Sequence, residues 1–204
     1  MKIPPEEQYK HLRISVPEGG VLLHACCAPC SAAIVECLLR NGCKPTVFFS
    51  NSNIYPLSEY ETRKQELIRF LKEQDVPFVD DDYCHEEWRE SVTGLENEPE
   101  RGSRCSVCFL FRLSRAARYA QEHGLRWLTT TLASSRWKNI KQIDVAGEQA
   151  VSSFPDVEWW AQNWRKGGLQ TRRGELLRLN QFYNQLYCGC EFSLASSQAM
   201  RKEK

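Results

Sequence analysis

The sequence predicts an α/β protein, a parallel sheet flanked by helices, and three observations carry that prediction. Short apolar runs (VLLHA, TVFFS, VPFV and LRWLTTTL) alternate with helical patterns of ten or more residues. The run TVFFS is continuously apolar over Val47-Phe48-Phe49, as a strand covered on both faces should be. Gly42 and Gly124 stand just beyond two of the helical patterns, where a left-handed residue closes a helix.

The elements follow in order. Residues 21–25 form a first strand, and residues 31–41 a helix closed by Gly42. Residues 46–50 are a second strand, and 51–58 a polar loop containing Pro56. An amphipathic helix covers 59–74, with Leu67, Phe70 and Leu71 on one face. A third strand over 76–79 runs into the acidic turn Asp80-Asp81-Asp82. A short helix over 85–92 and a loop over 93–103 lead to a long helix over 105–123. A fourth strand at 125–132 and a helix at 139–152 follow. The remainder reads as an aromatic segment at 154–164, a basic loop at 165–173 and a helix at 175–187.

Length and composition suit one domain over residues 20–195, with a loose arm at 1–19 and a polar tail at 196–204. Hydrophobic residues make up 42% of the 204, enough for a core, and the net charge of +1 neither demands nor excludes an anionic partner. The first 20 residues lack the apolar stretch of a signal peptide, and no run nears the ~18 apolar residues of a spanning helix. The expectation is a cytoplasmic protein with no membrane partner. No repeat or low-complexity tract interrupts the chain.

Right-handed crossovers between parallel strands bring every strand's carboxyl end to one edge, where ligands gather. Cys26, the loop at Asn51, the Asp80 turn and Ser134 all follow strands, so one site is expected there.

Ten cysteines are many for a chain of this kind, and they are paired rather than scattered. Cys26-Cys27-Ala28-Pro29-Cys30 joins the first strand to a helix, with Pro29 in the first turn, where its missing N–H costs nothing. Thiols at the positive end of a helix lean toward thiolate. Cys105 and Cys108 open another helix one turn apart, and Cys188 and Cys190 flank Gly189 on an extended segment. The resulting seven candidate ligands exceed the four of a zinc ion; a four-thiolate iron–sulfur cube with a second metal would use all seven. A thioredoxin-like disulfide enzyme would need only Cys27 and Cys30 and would leave the later cysteines without a role. A metal-stabilised RNA-binding module without turnover is the other alternative. Cys37, two turns beyond Cys30, reads as a packed small hydrophobe. Cys43 and Cys84 have no expected role, and His24 reads as a hydrogen-bonded core imidazole with a possible supporting part beside Cys26.

Taken together, these residues resemble a known family, the cobalamin-independent epoxyqueuosine reductases of the QueH type. The likeness rests on His24-Ala25-Cys26-Cys27-Ala28-Pro29-Cys30, Asn53, Tyr55-Pro56, Glu59-Tyr60 and Arg63. It continues through Arg104-Cys105-Ser106-Val107-Cys108, Arg112-Leu113, Leu128-Thr129-Thr130-Thr131-Leu132, Lys138, Ile140 and Tyr187-Cys188-Gly189-Cys190. The resemblance implies an oxygen-sensitive iron–sulfur oxidoreductase that turns the epoxide of epoxyqueuosine into the alkene of queuosine at the tRNA wobble position. It also implies a fold similar to the PP-loop ATPases, with CCAPCS standing where their SGGxDS phosphate loop would be, so ATP hydrolysis is not expected.

The resemblance implies a [4Fe–4S] cluster and an additional iron, with two versions of the ligand set. In one, Cys27, Cys105, Cys108 and Cys188 hold the cluster, and Cys26, Cys30 and Cys190 hold the iron. In the other, Cys26, Cys27, Cys105 and Cys108 hold the cluster, and Cys188 with Cys190 forms a redox-active disulfide. Side chains that alternate at a strand end favour dividing Cys26 from Cys27, hence the first version. In either version Cys26, Cys30, Cys188 and Cys190 carry the catalytic expectation. His24, Tyr55 and Asp82 are candidate proton donors. An electron donor, not identifiable from the sequence, and the tRNA anticodon loop are the expected partners. For the RNA, Arg165, Lys166, Arg172 and Arg173 beside Trp159, Trp160 and Trp164 compete with Arg136, Lys138 and Lys141.

Overall fold

The computed structural model of the chain describes residues 13–202. Residues 1–12 of the expected arm and residues 203–204 of the expected tail lie outside that range. Five parallel strands form one sheet in the order β3-β2-β1-β4-β5. They are β1 (Val21–His24), β2 (Thr46–Phe49), β3 (Phe78–Asp80), β4 (Trp127–Thr130) and β5 (Glu158–Trp159). The helices are α1 (Ala28–Arg40), α2 (Leu57–Glu73), α3 (His85–Ser91), α4 (Ser103–Glu122), α5 (Ile140–Val151), α6 (Leu169–Leu179) and α7 (Glu191–Lys202).

The central strand explains the layering. Every residue of β1 is buried, and its side chains alternate between faces. Leu23 joins the cluster that includes Ala32 and Val35 of α1 and Leu67 of α2. Leu22 joins the opposite cluster with Ala116, Ala117 and Ala120 of α4, whose small side chains let that helix lie close to the sheet. The chain winds outward from β1 through β2 and β3 on one side and through β4 and β5 on the other. The winding therefore reverses beside β1, and there the loops diverge to leave a crevice at the strands' carboxyl ends.

Several boundaries depart from the sequence pattern, each for a local reason. Helix α1 starts at Ala28, before the expected residue 31, because Cys27 takes the extended cap position and Ser31 Oγ donates to Cys27 O at 2.7 Å. Strand β4 stops at Thr130, whose side chain caps a 3-10 turn over Thr131–Ser134. The aromatic segment contributes β5, and a side chain at Gly147 would lie 2.3 Å from the ring of Trp159, so only glycine allows that approach. Helix α6 begins inside the expected basic loop, directly after Gly168 at φ 81°, and ends at Leu179 rather than 187. Helix α7 occupies most of the expected tail. No helix among the described residues is long and apolar enough to cross a membrane.

Candidate metal centre and active site

The first cysteine motif is held by the ends of three strands. His24 Nε2 lies 3.1 Å from Ser50 O, so it carries the hydrogen, and Nδ1, 2.7 Å from Thr130 Oγ1, accepts from that hydroxyl. Burial, helped by the charge of Arg112, lowers the His24 pKa to about 3. The ring is thus a neutral clamp with both nitrogens engaged, and the expected alternative of a proton donor does not hold. Asn51 Nδ2 donates to Ala25 O at 2.8 Å, while Arg112 donates to Ser50 O and to the Asn51 side chain. Together these bonds fix the turn that presents Cys26.

The sulfurs of Cys26, Cys27 and Cys30 lie within 4.8 Å of one another, and those of Cys26 and Cys27 are 3.8 Å apart. The alternation expected to divide Cys26 from Cys27 does not carry to their sulfurs, which sit side by side at a spacing that suits thiolates on one metal or on two neighbouring ones. Hydrogen bonds from Cys27 and Cys30, aided by the charges of Lys138 and Arg112, pull the Cys26 thiol well below its usual pKa despite burial. Burial raises Cys27, and the bond to Cys26 is the main cause that pushes Cys30 up to about 11. The trio is therefore ready to lose one proton and reluctant to lose three without a compensating cation.

The second motif sits in the first turns of α4. Cys105 Sγ accepts from Arg101 N at 3.3 Å, and Cys108 packs against Trp88 and Val92, where burial pushes its thiol up to about 12. Arg104, just before them, turns away, donating to Leu95 O and Glu96 O and lying 4.4 Å over the Phe192 ring. Phe192 and Cys190 pack on the same cluster as Cys108, which brings the start of α7 against α4.

The third motif is anchored from α2. Arg63 donates to Cys188 O at 3.1 Å and Tyr187 O at 3.3 Å, and its Nε donates to Glu59 Oε1 at 2.8 Å. Gly189 O accepts from Tyr55 N at 2.9 Å. Gly189 has φ 143°, and a side chain there would meet Arg63 and Ile54 at 3.2 Å. Only glycine suits both the angle and the approach. Ser193 then bridges the start of α7, accepting from Gly189 N and donating to Cys190 O.

These motifs share a cavity of about 890 Å³. Cys30, Cys105, Cys188 and Cys190 line it directly, together with Lys138 and Arg173. Burial works against the Lys138 ammonium, but the sulfurs of Cys188, Cys26 and Cys30 outweigh it and raise the pKa. All ten cysteines are unbridged. Cys37 and Cys43 belong to the hydrophobic core and Cys84 lies near Arg115, away from the cavity lining, in keeping with the sequence reading.

Other expectations are corrected. Arg172 is buried in an ion pair, 2.9 Å from Glu36 and 2.8 Å from Glu175, and cannot reach RNA. Trp164 is fully buried and donates to Thr129, and Trp160 packs edge-on against it. Of the basic loop, Arg173 alone lines the cavity; the 135–139 turn brings Arg136, Trp137 and Lys138 there instead. Tyr55 and Asp82 do not line it. Thr131, named only within the Leu128–Leu132 run, has its hydroxyl 3.5 Å from Cys26 Sγ, and the sequence pattern gave no hint of Trp88 and Phe192. The latter two are large aromatic side chains that pack behind sulfur, and no spacing rule marks them.

An α/β sheet whose switch point carries a buried cluster of thiols beside a basic cavity defines an enzyme scaffold with a cysteine group suited to a metal. The sequence profile of a family described as "Epoxyqueuosine reductase QueH" matches residues 21–196. A protein of that name from Acinetobacter baylyi is 45% identical over 192 residues, 93% of this chain and 88% of its own length. One from Haemophilus influenzae is 43% identical over 98% of this chain and 82% of its own. Another, from Thermotoga maritima, is 33% identical over 91% and 94% respectively. The chain belongs to the epoxyqueuosine reductase QueH family.

Proposed function

We propose that this protein is an oxidoreductase of tRNA processing that reduces the epoxide of epoxyqueuosine to the alkene of queuosine at the wobble position. The balance is one epoxide, two electrons and two protons giving one alkene and one water. The electrons come from an external donor. The observation that carries the reading is the arrival of sulfurs from three separate motifs at one cavity beside the switch point.

The donor set fits iron. It is all sulfur and lies at a helix N-terminus with Lys138 and Arg112 close by, so charge on several thiolates is offset. In this reading Cys27, Cys105, Cys108 and Cys188 hold a [4Fe–4S] cluster, and Cys26, Cys30 and Cys190 hold a further iron. Such a centre supplies electrons one at a time, with Lewis acidity at an open iron site. The protein's own groups do the rest. The His24 clamp, Asn51 and Arg112 fix the Cys26 turn, and Arg63 fixes the backbone of Cys188. Lys138 offsets thiolate charge from the cavity side, and the cavity's size admits a nucleoside. A soluble, cytoplasmic location follows from tRNA as substrate.

The test is an anaerobic preparation assayed for iron, sulfide, visible absorption and conversion of epoxyqueuosine in modified tRNA, read by nucleoside mass. Iron-dependent loss of the epoxide oxygen is expected. An iron-free sample with full activity, or an iron-loaded one inert with a strong reductant, would overturn the proposal.

A further inference from the structure

Seven large hydrophobic side chains are exposed on the described surface, and Trp137 is 66% accessible. Tryptophan is highly buried on average in folded proteins, and this exposed ring lines the cavity of the thiols together with several arginines. The ring is presented on a fixed backbone. Trp137 O accepts from Arg101 Nε at 2.7 Å, its N donates to Ser135 Oγ at 3.3 Å, and Asn139 caps α5 immediately after. The Arg136 guanidinium lies 5.2 Å from the ring centroid. Trp137, Arg136 and Arg173 line the same cavity as Cys30 and Cys188, and neither arginine is ion-paired to a carboxylate among the described residues.

We propose that Trp137 is a stacking platform for an unpaired base of the substrate RNA, next to the base that enters the thiol-lined cavity, with Arg136 and Arg173 meeting the adjoining phosphates. The inference rests on the tRNA reading above and adds to it the residue that engages the loop. An aromatic face between free cations suits single-stranded nucleic acid: every base has a face to stack, and the phosphates follow the charge. A paired stem offers no open base face, so the platform selects loops over duplexes.

The experiment uses iron-loaded protein under anaerobic conditions and two dye-labelled probes: an anticodon stem-loop RNA and a fully paired duplex of equal length. Unsubstituted protein should prefer the stem-loop. Trp137→Ala should weaken stem-loop binding about tenfold, leave duplex binding and iron content unchanged, and leave the salt slope unchanged. Trp137→Phe should restore most of the loss. Arg173→Glu should instead flatten the slope. Stem-loop binding that survives Trp137→Ala, with the loop preference intact, would overturn this proposal alone. So would normal RNA binding with slowed reduction by the electron donor, since Trp137 would then face that protein. Absence of stem-loop binding by the unsubstituted protein would overturn the tRNA reading itself.

Discussion

The Arg63 guanidinium stands 3.1 Å from the carbonyl oxygen of Cys188, so a helix 125 residues upstream fixes the third cysteine motif. The same side chain is nearly sealed from solvent and is paired with Glu59. Lysine keeps the charge but lacks the planar fork that reaches Tyr187 O, Cys188 O and Glu59 together. Arg63→Lys should therefore fold, melt several degrees lower and retain markedly less iron after gel filtration. Full iron retention would show that the Cys188 backbone needs no such anchor.

Gly189→Ala tests the same hook from the other side. A methyl group there would be strained at φ 143° and would push against Arg63 and Ile54 at 3.2 Å. Strain of this kind costs on the order of 1–3 kcal/mol. Urea unfolding of the apoprotein should report that loss, and a midpoint equal to the parent's would contradict the geometry.

Cys190→Ala and Cys108→Ala should part company. If Cys190 serves the further iron and Cys108 the cluster, the first variant stays brown with little turnover, whereas the second loses its colour. Absorbance and iron-to-sulfide ratios decide the matter. An active Cys190→Ala enzyme would remove that sulfur from the chemistry.

Arg172 and Arg173 are neighbours with opposite duties. Removing one partner of a buried ion pair typically costs about 3–5 kcal/mol, and Arg172 sits between Glu36 and Glu175. Arg172→Ala should lower the melting temperature strongly and leave the salt slope of RNA binding where it was. Arg173→Ala should do the reverse. Calorimetry and a salt titration of binding would expose any exchange of these roles.

The parallel sheet was legible because Val21-Leu22-Leu23 and Val47-Phe48-Phe49 are continuous apolar runs and a long helix separates them. The cysteine motifs were legible because ligand spacing is local: Cys26 to Cys30, Cys105 to Cys108 and Cys188 to Cys190 each span a turn or less. Long-range partnership was not. Nothing near Arg172 in the sequence announces Glu36, which lies 136 residues away, so an arginine beside glycines read as a surface loop. Helix α7 was missed because its serine-rich sequence buries little beyond Ser193 and the ring of Phe192, held between Arg89 and Arg104. The role of Trp137 escaped notice because exposure is a property of the fold and leaves no mark in spacing.

The three cysteine motifs stand on β1 and α1, on α4, and just before α7, so any centre that binds all of them closes loops of roughly 80 residues each. Loading with metal would then act as a cross-link between distant parts of the chain, and losing it would loosen the whole molecule rather than one pocket. Colour becomes a gauge of tertiary integrity. A library of variants could be sorted by eye on a plate, with bleached colonies marking every position, however remote from sulfur, that the assembled sheet cannot spare.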